Sequence, residues 1–351
     1  MPPDVRISAI TTSVSVTRKR LRLTRRVTGA RHTVCELCGK PLNRHLKTAS
    51  SAQAPPGAPC MPSVIRLSPE CPPGNLSINR HPLSQSLHSV RLRKFMETWP
   101  FDEKSNLLRW LDCHPGASPL VYIHGLGCAS SSDYLPVVTS PHYSGTRSWL
   151  VDLPGSGFSD KPVTARYDSG SLSTMLQTWI TSTGVSTISL FGHSAGAFIA
   201  LKMATTMSPQ PERLILCTPG VNDYGIALLE SITAMSESEF IATGFNQLVM
   251  QLKNEGGNDV WLGPFQVSSP LAIYQWAEST LDDNQKNWLE ILSRLPIAKG
   301  VILPDSASPD DIERYTRAGC LVELVPNCGH MLAYDNPDGL AASISRMMYH
   351  L

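Results

Sequence analysis

The sequence has no run of about eighteen apolar residues, the length that a membrane-spanning helix needs. Its nine cysteines are an odd, scattered set that forms no regular disulfide framework. Several lie in apolar strand-like runs, which favours free thiols in a reducing compartment. The N-terminus lacks the basic-then-apolar order of a secretory signal. We therefore expect no membrane span and a cytoplasmic location, with a transit-like N-terminal segment as the alternative.

Acidic residues are scarce in the first part of the chain. Residues 1–94 contain 16 Lys and Arg but only 3 Asp and Glu, whereas the remainder contains 14 and 26. Together with Pro/Ser-rich stretches, this asymmetry predicts a basic N-terminal extension without a fold over 1–94 and a folded domain over 95–351. The extension has no interleaved aromatic residues, so we expect no nucleic-acid partner.

The extension also contains a Cys-x-x-Cys pair, Cys35 and Cys38, with His45 downstream. A structural zinc site needs four ligands, and a second pair at a suitable spacing is absent from the sequence. We therefore expect no metal. Nothing in the sequence indicates a cofactor or an oligomeric state.

From residue 95 onward, short apolar runs alternate with helix-length segments. The first run, Asn106–Cys113, alternates like an exposed edge strand. The later runs have the continuous apolar character of buried strands: "PLVYIHG", "SWLVDLPG", "TISLFGH", "RLILCTPG", "GVILPD" and "LVELVPNCGH". The intervening helical segments include Gly170–Thr183, Ala195–Met207 and Pro337–Tyr349. This order predicts an α/β fold with a largely parallel sheet and helices on both faces.

One interval is too long for a single crossover between strands. Residues 221–296 combine helical patterns with many aromatic side chains. We interpret this interval as an inserted helical cap.

A serine lies at a strand-to-helix turn in "LFGHSAGAFIA". Ser194 stands between Gly192 and Gly196, in the G-x-S-x-G pattern of a nucleophile elbow. Small flanking residues allow the tight turn, which lifts the hydroxyl to the carboxyl edge of the sheet. Because the pattern follows a strand and opens a helix, it predicts that Ser194 is a nucleophile.

A serine hydroxyl needs a base and preorganised donors for the oxyanion that its attack creates. The base follows the serine in the chain order of this motif, and His330 comes after the last apolar strand. His193 is the weaker candidate, since its side chain and that of Ser194 point different ways at the turn. The expected oxyanion donors are the backbone N–H groups of Ala195 and Leu126.

Four motifs together resemble the α/β-hydrolase superfamily: "HGLG", "DLPGSGFSD", "GHSAG" and "CGHMLAYDNP", in that order along 95–351. The resemblance implies an eight-stranded, mostly parallel sheet, a cap and a Ser–acid–His triad without a cofactor. Superfamily members that use aspartate as nucleophile, the epoxide hydrolases and dehalogenases, do not match the serine at position 194.

The triad acid departs from the pattern of the superfamily. The loop after the seventh strand, "VILPDSASPDD", has Ala307 and Ser308 near the position where many members place an aspartate. Asp223, just after the sixth apolar run, is the acid we favour, and Asp305 is the alternative. Asn222–Asp223 is also good turn chemistry by itself.

These observations favour a serine hydrolase that cleaves an ester or related acyl bond of a small, fairly apolar molecule. C–C hydrolases, thioesterases and haloperoxidase-like enzymes also keep the serine and stay open. The alternative from a different class is a non-catalytic small-molecule-binding protein on the same fold.

Overall fold

The computed structural model describes residues 96–220 and 223–351, apart from the side chain of Asp223. The proposed N-terminal extension and its Cys35–Cys38 pair lie outside the described residues. The strands are β1 (Glu97–Pro100), β2 (Leu107–Cys113), β3 (Leu120–Ile123), β4 (Ser148–Asp152), β5 (Ser189–His193), β6 (Arg213–Cys217), β7 (Ala298–Pro304) and β8 (Leu321–Val325).

These strands form one sheet in the order β1-β2-β4-β3-β5-β6-β7-β8. β3 to β8 are parallel, and β1 and β2 pair antiparallel at one end. The expected fold class, a mostly parallel eight-stranded α/β sheet, is confirmed. The interpretation of Asn106–Cys113 as an edge strand was wrong, because β1 covers the outer side of β2. The alternation of β2 instead reflects one well-buried face, on which Leu108 and Trp110 lie.

Helices flank the sheet and fill the long interval between β6 and β7. Outside that interval the described helices are α1 (Ser130–Asp133), α2 (Leu135–Val138), α3 (Ser169–Ser182), α4 (Gly196–Thr206), α11 (Pro309–Arg317), α12 (Leu332–Asp335) and α13 (Pro337–His350). Between β6 and β7 lie α5 (Asp223–Thr233), α6 (Glu237–Glu239), a π-helical turn (Phe240–Gly244), α7 (Phe245–Glu255), α8 (Asp259–Gln266), α9 (Pro270–Gln285) and α10 (Trp288–Arg294). We call this second group the helical insertion.

Both faces of the sheet are buried, and the period of two along each strand assigns side chains to a face. Val121 and Ile123 of β3 belong to the core under α3 and α4, whereas Leu120 and Tyr122 belong to the core under α2 and α13. The helical insertion has an apolar core of its own, built around residues such as Phe240.

Buried charge fixes the helical insertion to the main helices. The Asp283 carboxylate of α9 accepts hydrogen bonds from Lys202 Nζ on α4 at 2.8 Å and from Ser169 Oγ on α3 at 2.5 Å. Its side chain is only 5% exposed. Burial strengthens such charge-assisted bonds, so they fix the position of α9 on the body of the domain. No helix within the described ranges is long and apolar enough to cross a membrane.

Candidate active site

Ser194 lies on the sharp turn between β5 and α4. Its φ of 51° is in the left-handed region, which a non-glycine residue adopts only at a cost. A Cβ at Gly196 would lie 2.3 Å from the carbonyl oxygen of His124, and one at Gly192 would lie 2.8 Å from Ala200 Cβ. Only glycine therefore fits on either side of the serine, as the elbow pattern predicts.

The Ser194 hydroxyl meets the imidazole of His330. The distance from Ser194 Oγ to His330 Nε2 is 2.9 Å, and His330 lies in the loop between β8 and α12. For the hydroxyl to donate, Nε2 must be unprotonated and the ring proton must be on Nδ1. Burial lowers the pKa of His330 below its ordinary value of 6.5, which keeps the ring neutral and able to accept a proton at pH 7.

No carboxylate of the described residues is hydrogen-bonded to the His330 ring. The side chain of Asp223 lies outside the described residues, and its backbone forms the first residue of α5. Asp305 follows β7, is exposed, and donates its backbone N–H to Val325 O at 2.9 Å. In the described part of the chain, the hydrogen bond of the His330 ring is the one to Ser194.

The loop after β3 borders the same site. Leu126 and Ala195 both line the cavity into which Ser194 faces, and neither backbone N–H has an acceptor within the described residues. His124 braces this loop: its Nδ1 donates to Gly125 O at 2.8 Å while its Nε2 accepts from Leu153 N–H at 3.1 Å. Free backbone N–H groups near a serine hydroxyl are the kind of donor that an oxyanion requires.

A cavity of about 380 Å³ opens above Ser194. Its walls are mainly apolar, and the helical insertion supplies a large part of them. The lining side chains from the insertion include Tyr224, Leu228, Leu229, Val260 and Trp261. No Lys or Arg is among the described residues that line it. The cavity therefore suits an uncharged, apolar group better than an anion.

Trp261 is a site residue to which the sequence analysis gave no role. Its indole Nε1 donates to Leu126 O at 3.2 Å, which connects α8 of the helical insertion to the loop after β3. The only signal in the sequence is an aromatic residue in an interval of helical pattern. Nothing in that pattern indicates which tryptophan would reach the loop.

The loop that carries His330 is anchored at several points. Asp335 Oδ2 accepts the Gly329 N–H at 2.8 Å, and Tyr334 Oη donates to Oδ1 of the buried Asp133 at 2.6 Å. The first bond connects the loop to the end of α12, and the second connects α12 to α1. The sequence analysis did not single out Tyr334 or Asp335, because their partners are distant in the chain.

A family model described as the alpha/beta hydrolase family matches residues 120–343, more than half of the chain. The chain belongs to this family. Membership supports a hydrolase and agrees with the motifs after β3, β4 and β5. A comparison with curated proteins found no match.

Solved structures of other alpha/beta hydrolases share this fold. The haloalkane dehalogenase DbeA from Bradyrhizobium elkani USDA94 is 15% identical with a TM-score of 0.60, and covers 73% of this chain and 97% of its own. The epoxide hydrolase CorEH is 16% identical with a TM-score of 0.59, over 73% and 98%. The E-2-(acetamidomethylene)succinate hydrolase is 16% identical with a TM-score of 0.55, over 72% and 98%. At these identities the likeness shows the fold alone.

Proposed function

We propose that this alpha/beta hydrolase is a serine hydrolase that cleaves an ester or related acyl bond through an acyl-enzyme. The observation that carries the proposal is the 2.9 Å contact between Ser194 Oγ and the neutral His330 imidazole. In the proposed mechanism His330 Nε2 takes the hydroxyl proton as Oγ attacks the acyl carbon. The N–H groups of Leu126 and Ala195 stabilise the oxyanion. His330 then returns the proton to the leaving group, and water hydrolyses the acyl-enzyme by the same steps.

We infer that the substrate is small, uncharged and fairly apolar. The support is the cavity volume of about 380 Å³ and the absence of Lys and Arg from its described lining. In this proposal the helical insertion acts as the cap that excludes water from the reacting atoms. Trp261 would couple the position of this cap to the loop after β3 through its bond to Leu126 O.

The test is turnover of short and long p-nitrophenyl esters by the wild type and two serine variants. Ser194→Ala should abolish turnover. Ser189→Ala is the matched control, since Ser189 Oγ on β5 is buried and has no hydrogen-bond partner among the described residues. A presteady-state burst in the wild type would support the acyl-enzyme. Wild-type turnover by Ser194→Ala would contradict the proposal.

We further propose Asp223 as the carboxylate that orients His330. It stands at the start of α5, shortly after β6 ends at Cys217, on the edge of the sheet where Ser194 and His330 lie. Losing the triad acid by an Asp-to-Asn change costs on the order of 10⁴ in kcat, because the histidine then favours the wrong tautomer. We expect such a loss in Asp223→Asn and a mild effect in the control Asp305→Asn. The reverse pattern would assign the role to Asp305.

A further inference from the structure

The backbone carbonyl of His330 is held by two side chains from neighbouring strands. His193 Nε2, at the end of β5, lies 3.1 Å from His330 O. Thr218 Oγ1, one residue after β6, donates to the same oxygen at 3.3 Å. Both side chains are more than nine-tenths buried. The carbonyl therefore has two fixed donors, away from competing water.

The protonation of His193 follows from its surroundings. Because a carbonyl oxygen only accepts, Nε2 must carry the ring proton. Burial, and then the neighbouring His330, lower the pKa of His193 to about 3, so the ring is neutral at pH 7. Its Nδ1 faces Gly125, where an added Cβ would lie only 3.1 Å away. His193 is thus packed between the loop after β3 and the loop that carries His330.

Thr218 has a strained backbone at this point. Its φ of 41° is unusual for a β-branched residue, and its N–H is held by Ile302 O at 2.9 Å on β7. A glycine would adopt this conformation at lower cost but would have no hydroxyl for the carbonyl of His330. Strain of this kind is maintained where the surrounding structure fixes it, often at functional sites.

We propose that His193 is a positioning residue which, together with Thr218, holds the His330 backbone so that the imidazole stays on the Ser194 hydroxyl. This inference rests on the proposed function, in which His330 moves the proton. This pair of side chains, which we call the clamp, acts on the backbone carbonyl of His330, whereas a triad carboxylate would act on the ring. It therefore restrains His330 whichever carboxylate completes the triad.

The test compares His193→Phe with His193→Gln. Phenylalanine keeps an aromatic ring but has no donor, and glutamine places an amide N–H at a reach similar to that of Nε2. We expect kcat to fall about 10²-fold in His193→Phe, the size of effect that a misplacement of about 1 Å produces. KM should change little, because the bond acts through proton transfer. His193→Gln should restore kcat to within about tenfold of the wild type.

A double-mutant cycle separates positioning from a general structural defect. In the His330→Ala background there is no imidazole to position, so adding His193→Phe should not lower the residual rate further. An additive loss would overturn the proposal, as would equal kcat values for His193→Phe and the wild type. Thr218→Gly provides a second variant in case His193→Phe does not fold: glycine adopts the positive φ without strain, and loss of the hydroxyl that holds the His330 carbonyl should lower kcat. Unchanged kcat in Thr218→Gly would also count against the clamp.

A readout without turnover distinguishes failure of this inference from failure of the proposed function. Titration of the His330 ring by NMR should give a pKa below the ordinary value in the wild type, and a value nearer 6.5 in His193→Phe, because a released ring reaches water. The same pKa in both proteins would refute the clamp even if neither hydrolyses an ester. Absence of turnover in the wild type with the expected NMR shift would refute only the hydrolase.

Discussion

Replacing Gly125 with alanine should slow catalysis without unfolding the protein. Gly125 precedes the expected oxyanion donor Leu126. Its φ is not in the left-handed region, so alanine brings no backbone strain. The new Cβ would lie 3.1 Å from His193 Nδ1 and 3.3 Å from Ser194 Cβ. At these distances the neighbours must move by a few tenths of an ångström.

The magnitude follows from that displacement. Complete loss of one oxyanion donor costs about 10²–10³ in kcat. A small displacement of Ser194 relative to the loop after β3 would weaken the hydrogen bond from the Leu126 N–H to the oxyanion without removing it. We expect kcat of Gly125→Ala to fall roughly tenfold, with KM nearly unchanged, because the donor acts on the transition state. The free energy of unfolding should fall by about 1–3 kcal/mol, the usual cost of inserting an extra methyl group into a packed interior. Ester turnover and urea denaturation measure the two effects.

Gly263→Ala is the matched control for this prediction. Gly263 lies inside α8, and a Cβ there would meet nothing within 4 Å. The substitution should leave kcat unchanged and stabilise the helix by up to about 1 kcal/mol. Gly127→Ala should instead destabilise the protein, since its φ is 69° and its Cβ would lie 2.3 Å from the Phe265 ring. Wild-type kcat in a stable Gly125→Ala would refute the role of Leu126.

Three further predictions concern stability and pH. Asp283→Asn should lower the free energy of unfolding by about 1–3 kcal/mol in urea denaturation, because the buried carboxylate loses its charge; the exposed neighbour Asp282→Asn should cost less than about 0.5 kcal/mol. The acidic limb of the kcat/KM profile should have its midpoint below pH 6.5, since burial lowers the pKa of His330 and protonation removes the base. As pH falls from about 6.5 toward 3, His193 is protonated in the unfolded state but stays neutral in the folded state. The free energy of unfolding therefore decreases over this range. Unfolding of His193→Gln should show a smaller decrease, and equal pH slopes would contradict this account.

The parts of the fold that depend on local pattern were accessible from the sequence. The continuous apolar runs of β3 to β8 and the spacing of Leu172, Leu176 and Trp179 in α3 produced the correct elements. β1 was not predicted, because its four residues alternate too briefly to show a period. α11 was also missed, since its mostly polar sequence buries only Tyr315.

The candidate site also has contacts that the sequence pattern predicts and contacts that it does not. The pairing of Ser194 with His330 could be predicted because the strand-to-helix turn and the chain order together limit the candidates. The contact of Trp261 with the loop after β3 could not be predicted, and neither could the contacts of His193 and Thr218 with the His330 carbonyl. These contacts depend on tertiary packing between segments far apart in the chain, for which no local spacing provides a signal.

The most direct test of the serine mechanism is covalent labelling with a fluorophosphonate, followed by mass spectrometry of the peptides. The account predicts one phosphonyl adduct on the peptide that contains Ser194, full labelling of the Ser189→Ala control and none of Ser194→Ala. It also predicts that His330→Ala labels orders of magnitude more slowly, because the hydroxyl has lost its base. An unlabelled wild-type protein, or an adduct that persists in Ser194→Ala, would contradict it.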